Sequence, residues 1–337
     1  MSESAIKVPV RDEQTGGGRS VLRRLLQVDE IGVIGALVLL IVLLSLTAGD
    51  KFLTAQNFIN VSRQASYVGI MAVGMVFVIA MGDIDLSVGS IWMLSSVMMA
   101  IALRDNYHIL IAVAVCMIVA TLCGLVNGAL SVALGIPTII ACHAWHAQSL
   151  PWVRPGRHQR FAGLGYNLET WFFTWIGGRD PVFGVWISVW AMLIVGVCGW
   201  ILFNHTPFGR RVQAIGSNRQ AALFSGIRIA RTRILVMTLM GFIVGIAAVV
   251  ALAFNRNGSP TVGVGTELGV IAATIIGGTA LSGGSGSVLG AILGALIIAL
   301  IQNGLALLAV PPAWSTAVTG IVIIVAVTLD YLIKRRA

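Results

Sequence analysis

The stretch "HTPFGRRVQAIGSNRQAALFSGIRIARTR", His205 to Arg233, separates two long apolar runs and carries Arg210, Arg211, Arg219, Arg228, Arg231 and Arg233 without a single acid. Short loops rich in Lys and Arg are held on the cytoplasmic side of a membrane, whereas acids count for little. This segment therefore predicts both a membrane protein and its orientation. The rest of the chain agrees: of 337 residues, 57% are hydrophobic and 10% charged, where a soluble domain carries about a quarter charged residues. Mean hydropathy is +0.93.

The net charge of +9 could suggest a nucleic-acid partner. The basic residues, however, sit in tails and interhelical loops rather than on one amphipathic face, so they read as topology signals and no nucleic acid is expected. Cys116, Cys123, Cys142 and Cys198 lack metal-type spacing and read as small buried hydrophobes. The polar tail 1–30 is expected to stay in the cytoplasm, and no cleavable signal peptide is expected, because no convincing small-residue cleavage site follows the first apolar run.

Nine apolar runs follow the tail: Ile31–Thr47, Ser66–Met81, Val88–Leu103, Ile109–Leu134, Val182–Phe203, Ile234–Phe254, Leu268–Leu281, Val288–Val310 and Thr316–Ile333. A helix needs about 20 apolar residues to cross the hydrocarbon core, and several runs reach this. The expected class is all-α, a polytopic transmembrane helical bundle over 31–337, with the Leu268 run short enough to be partly re-entrant. Arg19, Arg23 and Arg24 before the first run, and Lys334, Arg335 and Arg336 after the last, place both termini inside. Two inside termini require an even number of crossings, and an inside loop at 204–233 requires an even number before it. Only five runs precede that loop, so one crossing is missing, and only Ile136 to about Gly165 has room for it. That interval contains "ACHAWHAQSLPWVRPGRHQR", Ala141 to Arg160. Inserted as written, Arg154 and Arg157 would lie near mid-span at roughly 2.5–3.5 kcal/mol each, with Pro151 and Pro155 disturbing the helix.

The run "GDIDLSVGS", Gly82 to Ser90, places Asp83 and Asp85 between apolar spans. Acids at membrane depth are costly, so the pair lies at an interface, lines a wet cavity or satisfies helix-start amides together with Ser87 and Ser90. This run, with Asn127-Gly128, "GIPTIIA" (Gly135–Ala141), "TPFGRRVQAIGSNRQAALFSGI" (Thr206–Ile227) and "GGTALSGGSGSVLGAILGALI" (Gly277–Ile297), resembles the ribose/xylose/rhamnose-type sugar permeases of bacterial ABC importers. The likeness covers nearly the whole chain from Ile31. One departure is Asp83, where that family usually has a second glycine.

The resemblance implies ten spans in an intact member and a monosaccharide substrate, a pentose or deoxyhexose. It also implies ABC ATPase subunits, a periplasmic sugar-binding protein and a second permease copy or paralogue as partners, in the lipid of the bacterial inner membrane. It assigns ATPase coupling to Gly209, Arg210, Arg211, Gly216, Asn218, Ala221, Ala222 and Gly226. Independently, Val212, Ile215, Leu223 and Phe224 interspersed with glycines suit one or two short helices presented to a partner. Asp85, Ser87, Asn127 and Asn303 are candidates for the substrate path. For Asn127, Gln302 and Asn303, polar residues within spans, interhelical hydrogen bonding is the leading reading and lining of the sugar path the second. Gly286, Gly290 and Gly294 have the four-residue spacing that lets helix backbones approach.

In this family "IPTIIA" usually continues as Ala-Thr-Leu-Gly-x-Leu, with Arg-Gly further on. Reading the codons of Cys142 onward from their second base can spell Ala-Thr-Leu-Gly-Met-Leu, and the Trp145–His146 junction must give glycine. Pro151 into Trp152 allows arginine, and Trp152 into Val153 must give glycine. Residues 142–160 are therefore expected to be an out-of-frame segment that disrupts the fifth span, the alternative being a divergent loop. A metal site at Cys142, His143 and His146 lacks a convincing fourth ligand.

The Gly-rich run at 283–290 has no following Lys-Ser or Lys-Thr, so no Walker A loop is present and ATP hydrolysis belongs to another polypeptide. No metalloprotease signature, nucleophile elbow or supported acid pair appears, so no enzyme, cofactor or metal is expected. The competing class is a secondary transporter or facilitator for a small polar solute, which often needs ionisable residues in the bundle or paired broken helices.

Overall fold

Inside a bilayer every backbone polar group must be satisfied within the protein, and the chain meets this demand with helices. The computed structural model describes residues 30–135, 170–258, 263 and 265–311, with isolated positions from 314 to 328. Residues 142–160, both tails and most of the Thr316 run lie outside these. The helices are α1 (Glu30–Ala48), α2 (Ala55–Ala80), α3 (Val88–Arg104), α4 (Ile109–Leu134), α5 (Ile187–Asn204), α6 (Pro207–Ser217), α7 (Arg219–Phe224), α8 (Ile229–Asn255), α9 (Thr266–Ile276) and α10 (Val288–Leu307). Among the described residues no strand forms, only an isolated bridge between Arg179 and Trp186. Among the described residues six helices are long and apolar enough to cross a membrane: α1, α2, α4, α5, α8 and α10.

α2 is the axis of the bundle. It starts eleven residues before the Ser66 run, because Thr54 caps it by accepting the Asn57 amide and its first turns are polar. From Ala65 to Ala80 every residue but Val68 is buried, with α5, α8, α9 and α10 packed around it. α1 lies outside, with Leu39 and Leu46 exposed and Leu44 joining Phe52, Val61 and Leu300 in a separate small core. α4 and α8 cross where Gly124 and Gly241 meet backbone to backbone, each lacking room for a Cβ. Small residues at such crossings let helices approach where lipid offers no hydrophobic drive to association.

Two of the nine apolar runs form short helices rather than full spans. α3 has 17 residues and α9 has 11. The non-helical residues 83–87 lead back alongside α2, so that Trp92 in the second turn of α3 meets Tyr67, midway along α2, at 6.3 Å between ring centroids. Five residues at up to 3.3 Å plus α3 at 1.5 Å per residue give about 42 Å, matching the roughly 39 Å of α2. α9 runs antiparallel to α10, with Gly277 against Gly290, Ala273 against Gly294 and Gly269 against Ile298. Its first turn therefore lies beside the middle of α10. There Gly89 touches Gly263 and the Glu267 carboxylate, so the N-terminal ends of α3 and α9 meet inside the bundle.

Candidate functional site

The basic segment folds as two short helices. α6 begins at Pro207, its N-cap Thr206 accepting the Gly209 amide at 3.3 Å. α7 begins after Asn218, which accepts the Ala221 amide at 3.0 Å. Val212, Ile215 and Ala222 turn into the bundle, while Arg210, Arg211, Asn218 and Ala221 face outward. Gly209 is buried because the Phe203 carbonyl occupies the space of a side chain. Gly226 ends α7 at φ +78°, its amide on the Leu223 carbonyl and the Ile227 amide on that of Ala222, a glycine C-cap that satisfies the orphan carbonyls of the last turn. Phe224 is 88% exposed and Leu223 60%. The four apolar positions thus divide: Val212 and Ile215 anchor the segment, Leu223 and Phe224 are presented.

Gly216, at the end of α6, lies against the Ala80 carbonyl and the Gly284 amide, and Gly284 donates to that same carbonyl at 2.8 Å. A side chain at 216 would strike backbone on both sides. The ends of α2, of α6 and of the α9–α10 turn are thereby joined at one point. Beside it, Arg233 in the second turn of α8 holds Asp83 through two prongs: Nε donates to Oδ2 at 2.7 Å, and the second guanidinium nitrogen donates to Oδ1. Both side chains are nearly enclosed, 13% and 12% exposed. Asp83 is therefore the partner of the last arginine of the basic segment. Asp83 and Arg233 also wall a cavity of about 650 Å³ reaching Ser131, Gly135, Arg219 and Leu223.

Three of the four path candidates, Asp85, Ser87 and Asn127, come together, and Asn303 lies apart from them. Asp85 is buried, its Oδ1 accepting the Ser87 amide at 2.7 Å and the Ser87 hydroxyl at 2.5 Å. Asn127 of α4 donates to the Ser87 hydroxyl at 2.8 Å. This chain of bonds fastens the 83–87 leg to α4. Asn303 instead forms a reciprocal pair with Asn57, at 3.1 and 2.8 Å, near the start of α2. The length of α2 separates it from Asp85, so it belongs to an interhelical bond between α2 and α10. Of the glycine ladder, Gly290 and Gly294 admit the α9 carbonyls of Gly277 and Ala273, whereas Gly286 precedes α10 and packs on Val76 and Thr279. Among the described residues no cluster of three or more His, Cys, Asp or Glu forms.

A polar group in the interior escaped the sequence reading: Arg63, Tyr67, Trp92, Ser96 and Glu267. Arg63 precedes the Ser66 run and Glu267 precedes the Leu268 run, so both fell between apolar segments. Their positions four residues before Tyr67 and one before Leu268 were the available signals.

The family model described as "Branched-chain amino acid transport system / permease component" matches residues 57–327. The chain is 33% identical over 322 residues to the ribose import permease protein RbsC of Escherichia coli K12, covering 94% of this chain and 98% of that one. It is 35% identical over 306 residues to RbsC of Bacillus subtilis 168, covering 90% and 92%. It is 32% identical over 398 aligned positions to the xylose transport system permease protein XylH of Escherichia coli K12, covering 100% and 98%. No solved structure matches. With a family match over most of its length and an α-helical bundle built around α2, the chain belongs to the branched-chain amino acid transport system permease component family.

Proposed function

We propose that the chain is the membrane subunit of an ATP-driven importer for a monosaccharide, a pentose or deoxyhexose such as ribose, xylose or rhamnose. The observation that carries the reading is the near full-length likeness to ribose and xylose permeases. In this reading α6 and α7 face the cytoplasm and dock an ATPase through Leu223, Phe224 and the outward arginines. The Gly216 junction then passes movement of the docked helices to α2 and to the α9–α10 turn. A periplasmic binding protein delivers the sugar, and a second permease copy or paralogue completes the pathway in the inner membrane. Both termini are cytoplasmic. Alternating access follows if the docked ATPase binds one permease conformation better than the other, since a partner shifts an equilibrium only by its differential affinity.

One observation favours the secondary-transporter reading: α3 and α9 are short and meet at their N-terminal ends, as broken helices do in that class. The test separates the two. Proteoliposomes holding the permease, its ATPase and its binding protein are expected to accumulate ribose or xylose only with ATP inside or on the ATPase side. Uptake that persists without the ATPase supports the facilitator, and uptake of leucine without any pentose overturns the sugar assignment.

A further inference from the structure

Where α2, α3 and α9 meet in the middle of the bundle, the buried indole N–H of Trp92 and the hydroxyl of Ser96 have no hydrogen-bond partner among the described residues, and the buried hydroxyl of Tyr67 has only the Arg63 guanidinium beside it. Nε of Arg63 is likewise buried and unpartnered. Arg63 and Tyr67 are four residues apart on α2, and Trp92 and Ser96 four apart on α3, so each pair shares a helix face. The Tyr67 and Trp92 rings adjoin at 6.3 Å, which brings the two faces together. The guanidinium of Arg63 is held 3.7 Å above the Phe254 ring. The Glu267 carboxylate lies against Gly89, one turn before Trp92 on α3, and supplies acceptors there.

Unsatisfied buried donors are rare because each forfeits its bond to water. Several together inside a membrane bundle mark a site for a ligand or a conduction path. Trp and Arg can only donate, while Tyr and Ser can do either. The matching ligand is therefore rich in acceptor oxygens, and two aromatic faces suit apolar C–H surface. A lone anion suits the site poorly, since Glu267 would oppose it.

We infer that Arg63, Tyr67, Trp92, Ser96 and Glu267 form a sugar-contacting subsite within the permease, where hydroxyls of a monosaccharide are bound during passage. This rests on the sugar reading above and gives the permease its own share in selectivity, beyond that of the binding protein.

The test uses the reconstituted importer with ribose and its 2-deoxy, 3-deoxy and 5-deoxy analogues as probes. For each variant, kcat/KM for ribose is divided by kcat/KM for each analogue. The binding protein is the same throughout, so its contribution cancels between variant and wild type. Trp92→Phe keeps the ring and removes the donor; Tyr67→Phe and Ser96→Ala each remove a hydroxyl. Each is expected to lower the ratio for one particular analogue by about two- to tenfold, the value of one neutral hydrogen bond, leaving the other ratios unchanged. A purely structural role would lower uptake of all four sugars alike. If Trp92→Phe fails to assemble, the other two variants carry the comparison. Unchanged ratios in Tyr67→Phe and Ser96→Ala, with a wild type that imports ribose, overturn the subsite alone. A wild type that imports no pentose overturns the sugar reading and the subsite with it.

Discussion

Arg233 grips Asp83 with two guanidinium nitrogens, tying the second turn of α8 to the loop after α2 across 150 residues of sequence. Both side chains are largely enclosed, so removing one partner leaves a charge without compensation. Asp83→Asn is expected to destabilise the protein by roughly 3 kcal/mol. Replacing both by apolar residues, Asp83→Leu with Arg233→Met, is expected to recover more than half of that loss. Denaturation of the detergent-solubilised protein measures both; additive losses would show that the pair is not coupled.

Gly216 and Gly226 occupy one segment but meet different obstacles. Ala at 216 would collide with the Ala80 carbonyl and the Gly284 amide, whereas 226 opens on free space at φ +78°. Gly226→Ala is expected to cost about 1–2 kcal/mol for the left-handed backbone alone. Gly216→Ala is expected to lower the sugar transported per ATP hydrolysed by at least about tenfold, a misplacement of docked helices of the kind that costs orders of magnitude in positioning. A ratio in Gly216→Ala equal to that of the wild type would remove Gly216 from the coupling path.

Phe224 is exposed on a short helix that the bundle does not cover. Phe224→Ala is therefore expected to leave stability within about 0.5 kcal/mol. As a presented aromatic it is expected to weaken ATPase binding by about 2 kcal/mol, near thirtyfold. Titration of the ATPase onto the permease in nanodiscs reads this directly, and an unaltered affinity would place the docking surface elsewhere.

Asn57 and Asn303 exchange hydrogen bonds through both amides. In a double-mutant cycle with Asn57→Ala and Asn303→Ala, the coupling is expected to reach about 0.6–1.7 kcal/mol, the range for hydrogen bonds between membrane helices. Relative uptake of different sugars should be unchanged in either variant. A shift in sugar preference with Asn303→Ala would return this residue to the substrate path.

For residues 142–160 the decisive measurement is the nucleotide sequence. The second-base frame from Cys142 is expected to read Ala-Thr-Leu-Gly-Met-Leu, with Arg-Gly spanning Pro151 to Val153. A stop codon in that frame, or other residues, would leave Ala141–Arg160 as a natural loop. Restoring the frame should add the crossing that the loop charges require, which accessibility labelling at Arg219 and at both termini checks.

Hydropathy and charge are sums over neighbouring residues, and these the sequence carried openly. The helical membrane class, the Ile109–Leu134 helix to the residue, and the amphipathic break between Thr206 and Ile227 all follow from local composition. The Val88 helix is shorter than a full span, and non-helical chain can accompany such a helix when neighbouring helices shelter its backbone, whereas the Leu268 run is as short as its sequence suggested. The partner of Asp83, the pairing of Asn303 with Asn57, and the meeting of Tyr67 with Trp92 were decided only by the tertiary structure. Each joins positions far apart in the chain or on separate helices, and no local pattern states which polar group a buried side chain will find. Low-dielectric surroundings make those choices matter, since a buried donor or charge is costly until something answers it.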